Sequence, residues 1–146
     1  METDVPLLRL GTSSWSCQDW VGKFYEPGTP PKEFIAAYAR KFNTVEIDAT
    51  FYAIPNRPPV EGWRDRTPAD FTFAAKAPQV ITHEKFLNGC DGDLNAFLKV
   101  MSTLGPRLGP ILFQFPYFSK KSGVTQDELL RRLKPFLASL PDGYQW

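Results

Sequence analysis

Glu46, Lys76, Gln114 and His83 are the side chains of this sequence whose types and placement suit acid–base chemistry. A carboxylate such as Glu46 serves as a general base or accepts a hydrogen bond from a substrate hydroxyl, and an ammonium such as Lys76 stabilises negative charge as it develops. Gln114 suits the orientation of a ligand or a water. Each has a structural reading beside it: Glu46 and Lys76 as an ion pair, Gln114 as an amide bonded to loop backbone, and Asp48 as the cap of the turn ahead of Thr50. His83 is the only histidine and follows Thr82 in a long loop, where an imidazole is either a catalyst or a packed or solvated residue. Its solitude bears on metals. Zinc sites draw on several His or Cys ligands, and one histidine with the widely separated Cys17 and Cys90 cannot build such a cage. A magnesium held by Glu46 and Asp48 has no further support. No nucleophile elbow, P-loop or dinucleotide glycine motif is present, so neither a metal nor an organic cofactor is expected.

Aromatic residues crowd the same part of the chain: Trp15, Trp20, Phe24, Tyr25, Phe51, Tyr52 and Trp63. Most are expected to fill a satellite core under a long loop. Trp15 and Tyr52 are the exceptions, because a ring with a polar tip just past a strand suits stacking on a sugar or a base, with Ser14 shaping the pocket beside them. Arg57, Arg64 and Arg66 offer partners for a phosphate, but Glu61 and Asp65 dilute them, and a solvated helix face is the simpler reading.

The elements that must position these residues alternate. Short runs rich in Val, Ile, Phe and Thr at Leu7–Gly11, Thr44–Ile47, Phe71–Ala75 and Ile111–Phe115 are bounded by Gly, Pro, Asn or Asp and predict strands. Helical periods lie between them. Pro31–Phe42 follows a Thr29 cap, Leu94–Leu104 stops at Gly105, and Thr125 with Glu128 forms a capping box ahead of Leu129, although Pro135 should kink or end that helix. A shorter helix is expected around Val60–Arg66. Strand followed by helix, four times over, implies an α/β protein with a parallel sheet. Parity then sorts the strands: Val45, Ile47, Phe71, Phe73 and Ala75 face the helices, while Glu46 and Lys76 converge on the other side, joined by Gln114. Arg9 extends that polar set or is solvated near the bottom. The long connections Thr12–Pro30 and Ala77–Asp93 both leave from carboxyl ends of strands, where α/β proteins place their ligands.

The strings Leu10–Trp15 (LGTSSW), Phe42–Ile47 (FNTVEI) running into Thr50–Tyr52 (TFY), Phe73–Pro78 (FAAKAP), Ile81–His83 (ITH) and Leu108–Gln114 (LGPILFQ) occur in order. Together they closely resemble the YecE-like TIM barrels, domain of unknown function family 72. The resemblance implies that residues 1–146 form a single domain, the N-terminal half of a barrel whose full form has about eight strands. It therefore implies half a site, with the facing wall supplied from elsewhere. It adds weight to His83, which matches the family's Thr-His pair. The family also looks similar in fold to sugar isomerases and apurinic endonucleases, an analogy that carries no activity.

Composition bounds the function. The 146 residues balance 17 basic against 16 acidic side chains for a net charge of +1, and 42% are apolar, as in ordinary globular proteins. Near-neutral charge removes the usual footprint of a nucleic-acid binder. Neither a membrane span nor a signal-peptide pattern is visible, so a cytoplasmic protein with free thiols at Cys17 and Cys90 is expected. Two readings follow. One is an enzyme acting on a small polyhydroxylated or nucleotide-like ligand through Glu46, Lys76 and His83, with Ser14, Trp15, Tyr52 and Gln114 binding it. The other is a non-catalytic ligand- or nucleic-acid-binding module in which the same polar cluster is architectural. A half barrel as the whole chain would expose strand edges and self-associate.

Overall fold

The computed structural model describes residues 8–118 and 123–146. Three strands, β1 (Thr44–Ile47), β2 (Thr72–Lys76) and β3 (Leu108–Leu112), form one parallel sheet in the order β1-β2-β3. Helices α1 (Phe34–Ala39), α2 (Arg57–Asp65), α3 (Asp91–Met101) and α4 (Gln126–Ser139) alternate with them. The chain is thus α/β, as its pattern implied. The sheet has three strands among the described residues rather than four. Leu7 of the expected first strand lies outside those residues, and 8–11 form no strand. That stretch still runs beside β1, joined to it by a bond from the Glu46 N–H to the Thr12 carbonyl at 3.0 Å. The contact is close: a Cβ on Gly11 would fall 2.1 Å from the Thr44 carbonyl oxygen, so only glycine fits. Arg9 ties the amino ends of the strands together by donating to the carbonyls of Asn43 and Asp70 at 3.1 and 2.9 Å.

Strand parity follows the expected alternation. Val45, Ile47, Phe73, Ala75 and Ile111 are buried with Phe34, Ile35 and Tyr38 of α1, Val60 of α2 and Leu94, Phe97, Leu98 and Met101 of α3 in one core. The opposite face carries Glu46, Ala74 and Lys76, all half-buried, and Leu112, which is 42% exposed. Each fully buried aliphatic or aromatic chain on the covered face contributes about 1.5–3 kcal/mol, which is what holds the strands in this orientation.

β3 begins three residues earlier than expected. Gly109-Pro110 reads as a turn, but the register against β2 jumps between Phe73/Ala75 and Leu108/Ile111, and this bulge accommodates a proline inside the strand. Gly109 is needed there, since a Cβ would press on Thr72 Cγ2 at 2.3 Å. The helices also depart from expectation. A 3₁₀ turn, Pro31–Glu33, precedes α1, which ends short of Phe42. Thr29 does not cap it but closes a turn onto the Glu26 carbonyl. α2 starts at Arg57, and α3 passes at Met101 into a 3₁₀ turn. Thr125 caps α4 as expected, accepting from the Glu128 N–H at 3.2 Å. The helix continues past Pro135 to Ser139, and the carbonyl that loses its partner belongs to Arg131, an exposed residue. Among the described residues no helix is long and apolar enough to cross a membrane.

Candidate functional site

The carboxyl ends of β1 and β2 bring most of the nominated residues together. Lys76 closes β2, with its side chain 12% exposed, and its Nζ donates to Asp48 Oδ1 at 3.0 Å. The same ammonium stands 4.3 Å from the centroid of the Phe51 ring, a cation–π contact. Lys76 was expected to meet Glu46; its partner is Asp48 instead. Register is the reason. Glu46 lies opposite Ala74 and Ile47 opposite Ala75, so the residue that reaches Lys76 is the next one along. Asp48 therefore belongs to the polar cluster and is more than a turn cap. Thr50, fully buried, binds the two strand ends through the carbonyls of Ile47 and Lys76 at 2.8 and 2.6 Å.

Glu46 is half-buried, and its carboxylate has no hydrogen-bond or ion-pair partner among the described residues. It lines a pocket of about 280 Å³ with Asp48, Ser14, Ser16, Trp15 and Trp63. Two carboxylates and two indoles thus share one hollow. Trp15 is half-buried and packs edge-on against Trp63 and Phe73, with centroids 5.1 and 6.2 Å away. It is both core-anchored and pocket-lining. Its backbone is held by Tyr25, whose hydroxyl donates to the Trp15 carbonyl at 2.5 Å. Burial, with the neighbouring Tyr38 and Cys17, pushes the Tyr25 hydroxyl up to about 12, so it keeps its proton for that bond.

His83 lies in a π-helical turn, Val80–Glu84, after β2. Its ring meets the Phe51 ring edge-on at 4.9 Å, and its Nδ1 is 2.8 Å from the Thr82 hydroxyl. His83 is an exposed residue, and the partial desolvation of its ring and, second, the charge of Lys76 hold the imidazole below its ordinary pKa. The unfolded chain therefore binds this proton more readily, and stability present above about pH 6.5 declines as pH falls toward the folded value. Comparing thermal unfolding at pH 7 and pH 5, the wild type is expected to lose more stability than His83→Gln. Equal losses in the two proteins would remove the depressed histidine.

The remaining nominees lie further out. Tyr52 is 68% exposed and touches Phe51 edge-on. Gln114 lies two residues beyond β3, exposed and without a hydrogen-bond partner among the described residues, because β3 ends early. Arg57 and Arg64 pair with Glu61 and Asp65 on α2, which makes a solvated helix face. Asp48, Phe51 and Tyr25 are the residues that sequence reasoning left in structural roles. Only Asp48 had a signal, its parity with Glu46.

Residues 9–146 match the family described as "Protein of unknown function DUF72". The chain belongs to the DUF72 family. Among its relatives, the UPF0759 protein YecE of Escherichia coli K12 is 38% identical over 110 residues, covering 75% of this chain and 38% of that protein. The UPF0759 protein YunF of Bacillus subtilis 168 is 32% identical over 143 residues, covering 92% of this chain and 49% of that protein. A solved structure of a DUF72 family protein from Enterococcus faecalis V583, 27% identical, matches with a TM-score of 0.62 over 91% of this chain and 48% of its own. The chain thus spans half or less of the length of the DUF72 relatives it matches.

Proposed function

We propose that this DUF72 chain is the N-terminal half of a (β/α) barrel and carries one wall of a site for a small polyhydroxylated or nucleotide-like ligand. The observation that carries this reading is the pocket at the end of β1, where the unpaired carboxylate of Glu46 and that of Asp48 stand beside the indoles of Trp15 and Trp63. Carboxylates accept from hydroxyl groups, and indoles stack on the apolar face of a sugar or on a base. Glu46 is the base or hydroxyl acceptor, Lys76 the group that meets developing negative charge, and His83 a further polar group beside Phe51. Ser14, Trp15 and Tyr52 shape the entrance, and Gln114 extends from the end of β3.

Three features support the partial barrel. Among the described residues all strand pairs are parallel, one face alone is covered by helices, and the Gln145 carbonyl accepts from the Ile111 N–H at 2.8 Å, where a following strand would join β3. The second reading, a binding module without chemistry, is favoured by one feature: Lys76 is already engaged by Asp48 and Phe51, as a purely architectural lysine would be.

A thermal-shift screen against sugars, nucleotides and sugar phosphates tests the site. A ligand at a hundredfold its Kd stabilises by about 2.7 kcal/mol, and this shift is expected to vanish in Glu46→Gln and to shrink in Lys76→Met. A shift that survives both substitutions places the ligand elsewhere, and the absence of any shift sinks the reading. Catalysis, as against binding, requires turnover of the identified ligand that Glu46→Gln abolishes while leaving the fold intact.

A further inference from the structure

The hydroxyl of Thr82 is fully buried and has one hydrogen-bond partner among the described residues, the Nδ1 of His83. A hydroxyl carries one proton and a neutral imidazole carries one on either nitrogen, so the pair has a direction. If Nδ1–H donated, the Thr82 proton would be left without an acceptor where water does not reach. Donation therefore runs from Thr82 to Nδ1, and the ring hydrogen sits on Nε2, which has no partner among the described residues. The ring is held in place by the π-helical turn and by the edge of Phe51 at 4.9 Å. Lys76 Nζ stands 4.3 Å from the centroid of that same phenyl ring. Two hydrogen-bond donors, one neutral and one cationic, thus each contact the Phe51 ring.

We propose that Thr82 is a positioning residue that locks neutral His83 in its Nε2–H form, so that His83 offers a hydrogen bond to a carbonyl or oxyanion oxygen of the ligand in the field of the Lys76 ammonium. His83 then polarises or binds that oxygen and does not abstract a proton, which leaves Glu46 as the base. The ligand class rests on the site reading above; the tautomer does not. The depressed imidazole supports the neutral form at physiological pH.

Nitrogen-15 spectroscopy of the imidazole in the 146-residue chain, at a pH above its titration, reads the tautomer directly, and a single histidine removes ambiguity of assignment. The expected spectrum has a protonated Nε2 and a bare Nδ1. Thr82→Ser retains this pattern, while Thr82→Val moves both shifts toward those of histidine in a free peptide. A protonated Nδ1 in the wild type, or unchanged shifts in Thr82→Val, overturns the lock. Should Thr82→Val fail to fold, the wild-type and Thr82→Ser spectra still decide between the tautomers. Inorganic phosphate at constant pH and ionic strength serves as the oxyanion probe. A saturable movement of the Nε2 shift, with affinity about tenfold weaker in Lys76→Met, supports the donor role. No saturable movement overturns that role without touching the tautomer, so the two failures remain distinguishable.

Discussion

Phe73→Ala is expected to lower the unfolding free energy by about 3–5 kcal/mol, a fifth or more of the roughly 5–15 kcal/mol of an ordinary domain. Phe73 sits on the central strand with no exposure, and its ring packs edge-on against Phe71 at 4.9 Å and against Trp15 at 6.2 Å. The strand that carries Phe73 is held on both sides by β1 and β3, so the site can collapse only in part, and the cost stays near the upper end of the range. The same substitution removes the surface on which Trp15 rests. Ligand stabilisation through the pocket should therefore weaken along with the fold. Urea titration with an unchanged slope checks the first effect. A loss below about 1 kcal/mol would mean that Phe73 does not point into the helix-covered core.

The second large effect concerns association. By itself, the 146-residue chain is expected to run as a dimer or larger species, because among the described residues no helix covers the face bearing Glu46, Ala74, Lys76 and Leu112 and the Gln145 carbonyl at Ile111 is the one partner of the outer β3 edge. Exposed strand edges pair with whatever strand is offered, and a second copy offers the same parallel face and the same edges. In relatives about twice as long, the additional chain is proposed to occupy that face. Light scattering after size exclusion, on protein of verified mass, decides the matter. A soluble, cooperatively unfolding monomer of 16.6 kDa would overturn the half-barrel reading.

The uncovered face also explains why the polar cluster is arranged as it is. Lys76 rests on Asp48 and on the Phe51 ring, whereas Glu46, one pleat further down, lines the pocket with no partner among the described residues. Removing either neighbour of Lys76 should alter the His83 titration, since the ammonium is one of the two influences that lower it.

Much of this was readable along the chain because it is local. The alternation of Val45 and Ile47 with Thr44 and Glu46 assigns faces through the pleat alone, and the Thr125 cap acts within one helical turn. The strand–helix order placed the long connections at the carboxyl ends of the strands. Other features depended on partners distant in sequence. Lateral alignment of β1 with β2 made Asp48, not Glu46, the partner of Lys76, and a bulge turned Gly109-Pro110 from a turn into strand, which left Gln114 beyond β3. Pro135 stayed inside α4, where the carbonyl it deprives belongs to the exposed Arg131, a matter of which side of the helix the core occupies. The direction of the Thr82–His83 bond likewise follows from burial, which no spacing of residues reports. Faces and caps follow from neighbours a few residues apart; register, burial and the pairing of charges are set by segments that meet only after the chain has folded.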